Sequence, residues 1–217
     1  MRIGVLGTGM VGQGLGQGLA ERGHEVKIGS RTPDSETVRE WLAGAGQGAS
    51  AGTFAEAADF AELAILATAW SGTENALRLA GAERLAGKVV MDATNPLDFS
   101  TGAPALAVGH TDSAGERVQR WLPQARVVKA FNTVGNALMV DPQVPGGPPD
   151  LFICGNDEDA KRQVSELAQS LGWPASLDLG GIESSRYLEP LAMVWILYGA
   201  RNNHWTHAIK LLGKAGA

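Results

Sequence analysis

The sequence predicts a doubly wound α/β fold, a mostly parallel sheet with helices on both faces. Short apolar runs of strand length alternate with segments of helical period from the first residue onward. The alternation repeats at the interval of right-handed strand–helix–strand units. A glycine-rich turn, Gly7-Thr8-Gly9-Met10-Val11-Gly12, joins the first strand to the first helix. At 217 residues the chain is one domain of ordinary size, or one with a modest appendage.

Each element has its own signal. Arg2–Leu6 reads as a buried strand, and Val11–Arg22 as a helix with Val11, Leu15 and Leu19 on one face. His24–Gly29 is a second strand, and a polar turn leads to a helix over Ser35–Ala43 with Val38, Trp41 and Leu42 inward. The Ala/Gly-rich stretch Ala43–Gly52 reads as a loop with a short edge strand, and Phe54–Phe60 as a short helix. Leu63–Ala67, Lys88–Asp92 and Arg126–Ala130 are further buried strands, with helices near Gly72–Ala80 and Ala114–Leu122 between them. Pro142–Pro149 is the clearest linker. It divides a nucleotide-binding unit, residues 1–149, from a small C-terminal extension, residues 150–217. That extension holds a strand at Leu151–Cys154, a helix from Asp157, an edge strand at Ala175–Leu177 and a helical tail from Ser184. It is expected to complete a substrate pocket and a dimer interface.

Composition narrows the function. An apolar content of 44% allows a full core, and the net charge of −5 argues against binding nucleic acid or a membrane surface through phosphate attraction. Cys154 is the sole cysteine, which excludes an intramolecular disulfide framework and multi-cysteine metal sites. The N-terminal apolar run is too short for a signal-peptide core. The longest apolar stretch, Leu191–Leu197, falls far short of the roughly 20 residues of a membrane span. The expectation is a cytoplasmic protein.

GxGxxG alone is weak in a chain with 29 glycines, but here it follows a strand and opens a helix. Gly7 allows the tight turn, Gly9 lets a pyrophosphate approach the backbone, and Gly12 lets helix and strand pack closely. The helix N-terminus then faces the phosphates. Sites for NAD usually carry an acid about 20 residues beyond the glycines, on the ribose diol. The run Lys27-Ile28-Gly29-Ser30-Arg31 has none, while Arg31, Ser30 and Thr8 suit a 2′-phosphate. NADP(H) is the favoured dinucleotide.

With these residues in view, the chain resembles the F420-dependent NADP oxidoreductase family over essentially its whole length. The resemblance rests on Gly7–Gly12, on Gly23-His24-Glu25-Val26 running into Gly29-Ser30-Arg31, and on Asp92-Ala93-Thr94-Asn95-Pro96. It continues through Val128-Lys129-Ala130-Phe131-Asn132-Thr133, Cys154-Gly155-Asn156-Asp157, and Leu177-Asp178-Leu179-Gly180 with Ser185-Arg186. The nucleotide-binding domain of the STEAP metalloreductases is similar too, at the lysine-to-threonine run and the Cys-Gly-Asn turn. The resemblance implies a Rossmann-type fold, a homodimer, and hydride transfer between NADPH and the deazaflavin coenzyme F420. It implies that Thr8, Ser30 and Arg31 hold the 2′-phosphate and that Trp70 lies by the nicotinamide ribose, with Asn95 among the cofactor contacts. Asn132, Thr133 and Val134 would line the hydride-transfer pocket, closed by the tail around Ser185–Arg186. The chain departs from the family pattern at Ala69, where proline is frequent, and at Ser35 and Asn132, where some archaeal members carry lysine and histidine.

Hydride transfer to a deazaflavin needs stacked rings and exclusion of water more than an acid or base, so the lack of an obvious proton donor does not count against it. A carbonyl-reducing enzyme would need one. Lys129 is the nearest candidate, but a cation flanking a strand is expected to be merely solvated. Asp92 either positions Asn95 or caps the following turn. Leu188, Leu191, Trp195 and Tyr198 give the tail an apolar face, read as core and dimer interface. His204 and His207 lack a nearby acid or cysteine and are read as surface or interface residues, with no metal expected. His24 and His110 show no evident partner, and Cys154 reads as an inert core thiol. Two rival functions remain: reduction of a flavin or ferric flavin by the same fold, and non-catalytic sensing of NADPH.

Overall fold

The computed structural model describes residues 1–213. Its strands are β1 (Arg2–Leu6), β2 (Glu25–Ser30), β3 (Ala49–Thr53), β4 (Leu63–Leu66), β5 (Val89–Asp92), β6 (Leu97–Asp98), β7 (Ala105–Leu106), β8 (Arg126–Lys129), β9 (Phe152–Gly155) and β10 (Leu177–Asp178). Its helices are α1 (Met10–Glu21), α2 (Glu36–Gly44), α3 (Phe54–Phe60), α4 (Trp70–Ala80), α5 (Ala114–Trp121), α6 (Glu158–Ser170) and α7 (Ser185–Asn202). Eight strands form one sheet in the order β10-β9-β8-β5-β4-β1-β2-β3, while β6 and β7 pair separately as an antiparallel hairpin. All neighbours in the large sheet run parallel except β8 and β9. The doubly wound, mostly parallel sheet expected from the sequence is therefore the fold. Strands from beyond the Pro-rich stretch extend the same sheet.

The winding reverses between β1 and β4. The chain runs outward from β1 through β2 to β3, then returns to β4 on the other side of β1. Such a reversal leaves a crevice beyond the carboxyl ends of the strands, where open α/β sheets bind ligands.

Side-chain alternation builds two cores. Ile3, Val5, Leu63, Ile65, Val89 and Met91 share one cluster with α1 and α6. Leu6, Ala64, Leu66, Val90 and Val127 face the other, with Phe54, Leu77, Val118 and Leu188 from α3, α4, α5 and α7. Each fully buried aliphatic side chain contributes roughly 1.5–3 kcal/mol. The same alternation turns Asp92 and Lys129 toward the second layer, opposite one another in the β5–β8 register.

Local chemistry sets several boundaries. Thr53 and Glu56 form a reciprocal capping box that starts α3 right after β3. The Ala/Gly-rich segment forms a full five-residue edge strand, because every residue from Ala49 to Thr53 finds a partner on β2. α4 starts at Trp70, two residues before the predicted Gly72. α7 runs through Pro190 for 18 residues, held by buried Leu188, Glu189 and Ala192. The β6–β7 hairpin was not predicted, since two-residue strands leave no periodic trace. Among the described residues no helix is long and apolar enough to cross a membrane.

α5 is capped by Ser113, whose hydroxyl accepts from the Glu116 amide, and Asp112 beside it binds Arg117 and Arg120 at 2.9 and 2.8 Å. Partial burial opposes ionisation of Asp112, but hydrogen bonds from Arg120 and Arg117 hold its carboxyl down at about 2. A carboxyl depressed on folding stabilises above its unfolded value and loses that effect as pH falls through the folded one. Asp112→Asn is therefore expected to cost about 1 kcal/mol near neutral pH after solvent screening. The deficit should vanish as pH drops from near 4 to 2; urea unfolding across that range checks it.

Candidate active site at the sheet crevice

The turn from β1 to α1 carries the glycine motif, and its three glycines differ physically. Gly7 has φ +130°, and a Cβ there would strike the Ala67 carbonyl at the end of β4. At Gly12 a Cβ would strike the Gly7 carbonyl, so the helix could not sit this close to the turn. Gly9 meets nothing within 4 Å and is exposed. It is the N-cap of α1, with no side-chain cap and no acidic residue in the first turn. The first amides of α1 are thus open donors at the positive end of the helix dipole.

A cavity of about 420 Å³ opens in front of them. Gly7, Thr8, Gly9, Ser30 and Arg31 line it from the β1 and β2 side, and Thr68, Ser71 and Asn75 from the β4–α4 side. Arg31 is exposed, and no carboxylate pairs with it among the described residues. Ser30 accepts the Thr32 amide at 3.1 Å, which folds the loop after β2. Uncapped amides, hydroxyls and a free guanidinium form a donor set that fits a ligand with several phosphates. Thr68, Ser71 and Asn75 were not anticipated. The turn after β4, the strand flanking the winding reversal, is the signal that could have found them.

A second cavity, about 450 Å³, shares Gly9, Ala67, Thr68, Ala69 and Ser71 with the first. Met10, Val11, Trp70, Ala93, Thr94, Asn95, Leu97 and Phe99 complete it. Trp70 stacks on Trp121 at 5.6 Å between ring centroids, so its indole forms a fixed wall. The more apolar lining suits flat rings, and the two cavities together suit a long ligand with phosphates at one end.

Asn132, Thr133 and Val134 line neither cavity and connect to the second through Asn95. Asn95 Nδ2 donates to the Asn132 carbonyl at 2.7 Å, and Asn132 Nδ2 donates to Asn95 Oδ1 at 3.0 Å and to the Leu188 carbonyl at 3.1 Å. Asn132 and Thr133 are buried and Val134 is half-buried. Phe131, just before them, has φ +62°, a conformation costing a side-chain-bearing residue about 1–3 kcal/mol. Its buried ring, edge-on to Trp173 at 5.8 Å, holds it there.

Lys129 corrects the sequence expectation. Its side chain is wholly buried, and its ammonium meets Asp92 Oδ2 at 2.7 Å, Glu189 Oε1 at 3.1 Å and the Thr94 carbonyl at 2.8 Å. Strand alternation turns it inward, and the facing carboxylates offset the desolvation that would otherwise drive it to the surface. Burial alone would push the ammonium down, yet Asp92 and Glu189 hold it above the ordinary lysine value. Glu189 is raised by its own burial, against Lys129 and the amides of Ala114 and Gly115. Asp92 caps its turn: Oδ1 accepts the Thr94 amide at 2.9 Å and the Thr94 hydroxyl at 2.7 Å.

The remaining singled-out residues lie elsewhere. Cys154 is buried, and burial pushes its thiol up to about 11, which leaves it unreactive. Arg186 pairs with Glu116 and lines a separate concavity with His110 and Tyr187. His207 stacks on Trp195 at 4.5 Å, with its ring nitrogens facing the carbonyls of His204 and Trp195.

The chain is similar to known proteins in both sequence and fold. The family described as NADP oxidoreductase, coenzyme F420-dependent, matches residues 2–96. An F420-dependent NADP reductase of Methanothermobacter marburgensis is 35% identical, over 93% of this chain and 94% of its own length. The metalloreductase STEAP3 of Rattus norvegicus is 30% identical over 88% of this chain, which spans 36% of that larger protein. A crystal structure from Arthrobacter sp. FB24, described as a candidate F420-dependent NADP-reductase, is 41% identical. It superposes with a TM-score of 0.93, covering 98% of this chain and all of that one. Carrying the open glycine turn and matching such relatives over more than nine-tenths of both lengths, the chain belongs to the F420-dependent NADP oxidoreductase family.

Proposed function

We propose that this protein transfers a hydride between NADP(H) and coenzyme F420, as a cytoplasmic homodimer. The observation that carries the reading is the pair of adjoining cavities, one lined by amides, hydroxyls and a guanidinium and the other by mostly apolar groups with Trp70 and Phe99 among them. NADPH supplies the hydride, the oxidised deazaflavin accepts it together with a proton from solvent, and no side chain need act as acid or base.

The chain's own residues bind and orient. The backbone at Gly7–Gly12 takes the pyrophosphate, and Thr8, Ser30 and Arg31 take the 2′-phosphate. Met10, Val11, Trp70 and Asn95 flank the nicotinamide end. Asn132, Thr133 and Val134 back the hydride-transfer pocket, and residues 150–217 complete it through α7. Residues 1–149 accordingly form the dinucleotide-binding unit. The exposed side of α7 supports a subunit contact there: Tyr187 is 74%, Val194 63% and Leu197 54% exposed, more apolar surface than one monomer helix usually leaves open.

Three measurements test the reading. Purified protein with NADPH should bleach the oxidised F420 band and leave FMN, FAD and riboflavin oxidised; turnover of flavins alone would overturn the acceptor assignment. Arg31→Ala should raise the KM for NADPH about 10- to 100-fold, since charge-assisted bonds to a phosphate contribute roughly 1.5–3 kcal/mol, and leave NADH almost unchanged. Equal losses for both cofactors would remove Arg31 from the 2′-phosphate. Leu197→Asp should convert a dimer to monomers in sedimentation velocity, and an unchanged mass would place the contact elsewhere.

A further inference from the structure

The strongest unassigned feature is the buried charge cluster behind the second cavity. One ammonium, from Lys129, faces two carboxylates, from Asp92 and Glu189, all wholly or almost wholly buried. The surplus negative charge is met by the first turn of α5, where the Ala114 and Gly115 amides donate to Glu189 at 2.9 and 3.0 Å. A cluster with one charge too many is a poor device for stability alone, since apolar residues of equal volume often serve as well or better. Its connections point elsewhere.

Two of the cluster's three members hold Thr94, a residue of the pocket wall, and the third holds α7 behind that wall. Lys129 holds the Thr94 carbonyl and Asp92 holds the Thr94 amide and hydroxyl, so the backbone entering Asn95 is fixed from both sides. Thr94 and Asn95 line the second cavity. Glu189 anchors the first half of α7 to the sheet, and the adjacent Leu188 carbonyl receives Asn132. Thus two bonds one residue apart, Glu189 to Lys129 and Leu188 to Asn132, tie the C-terminal helix to β8 and the turn that follows it. None of the three charged side chains lines the cavities.

We propose that Lys129, Asp92 and Glu189 are positioning residues, an electrostatic clamp that fixes Asn95, backed by Asn132, where the nicotinamide meets the acceptor, and docks α7 behind it. This deepens the hydride-transfer reading of the cavity and rests on it. The clamp moves no proton to the reactants. It fixes the separation and tilt of the two rings, on which the rate of a direct transfer depends steeply.

The test uses the full chain with NADPH and F420 in steady state, and NADPH binding by fluorescence titration. Glu189→Gln leaves the Lys129–Asp92 pair neutral, and the double variant Asp92→Asn/Lys129→Met removes those two charges together. Both are expected to bind NADPH within twofold of the parent, because the phosphate cavity lies on the β1–β2 side. Both should lose about 10- to 100-fold in kcat/KM for F420, the scale set by a misplacement of about 1 Å. Unchanged F420 turnover in either variant would overturn the clamp. So would parallel loss of NADPH binding and F420 turnover, which would make the cluster a support for the whole fold. If the parent protein itself fails to reduce F420, the hydride-transfer reading falls first, and the variants are not needed to show it.

Discussion

The crevice depends on how closely three pieces of backbone approach one another. The Gly7 position lies against the Ala67 carbonyl, and Gly12 lies against the Gly7 carbonyl, so the β1–α1 turn is pressed between the end of β4 and its own helix. Any side chain there would push α1 outward. That displacement would carry the open amides of α1 away from the cavity and away from Ser30 and Arg31 across it. Sterics at two positions therefore fix the distance between helix dipole and guanidinium, the two attractions a phosphate-rich ligand would feel at once.

The opposite wall is set by charge. β5 and β8 each end in an ionisable residue on the same face, in register with its neighbour. Their burial is tolerated because the third partner arrives from α7 and the first amides of α5 absorb what remains. One wall of the crevice is thus held by exclusion of atoms and the other by attraction between ions. The first is insensitive to its surroundings, while the second requires a whole helix to be in place.

This difference explains what the sequence made legible. The strand-and-helix alternation and the glycine spacing are local patterns, and they led to the sheet, the crevice and the lining by Gly7, Thr8, Gly9, Ser30 and Arg31. Lys129 was misjudged because a lysine after two valines looks the same whether its partners are water or carboxylates. Asp92 was visible at a strand end, but Glu189 sits beside a proline in a helix whose docking no local pattern encodes. Thr68, Ser71 and Asn75 went unnoticed for a related reason. They reach the cavity only because the chain returns to the far side of β1, and their own neighbourhood reads as an ordinary helix start.

α1 contains four glycines, at positions 12, 14, 16 and 18, and each weakens a helix by about 1 kcal/mol relative to alanine. Only packing keeps it helical: Gly16 lies so close to the Trp41 ring that a Cβ there would sit 3.1 Å from it, and Leu15 and Leu19 are wholly buried. A helix with so little tendency of its own is a shallow minimum, and its first turn is the part left without a cap. An anion seated on those amides would supply the missing partner and close the turn. Recognition of an anion at this end of the crevice would therefore be partly a folding event, in which the ligand completes the element that holds it.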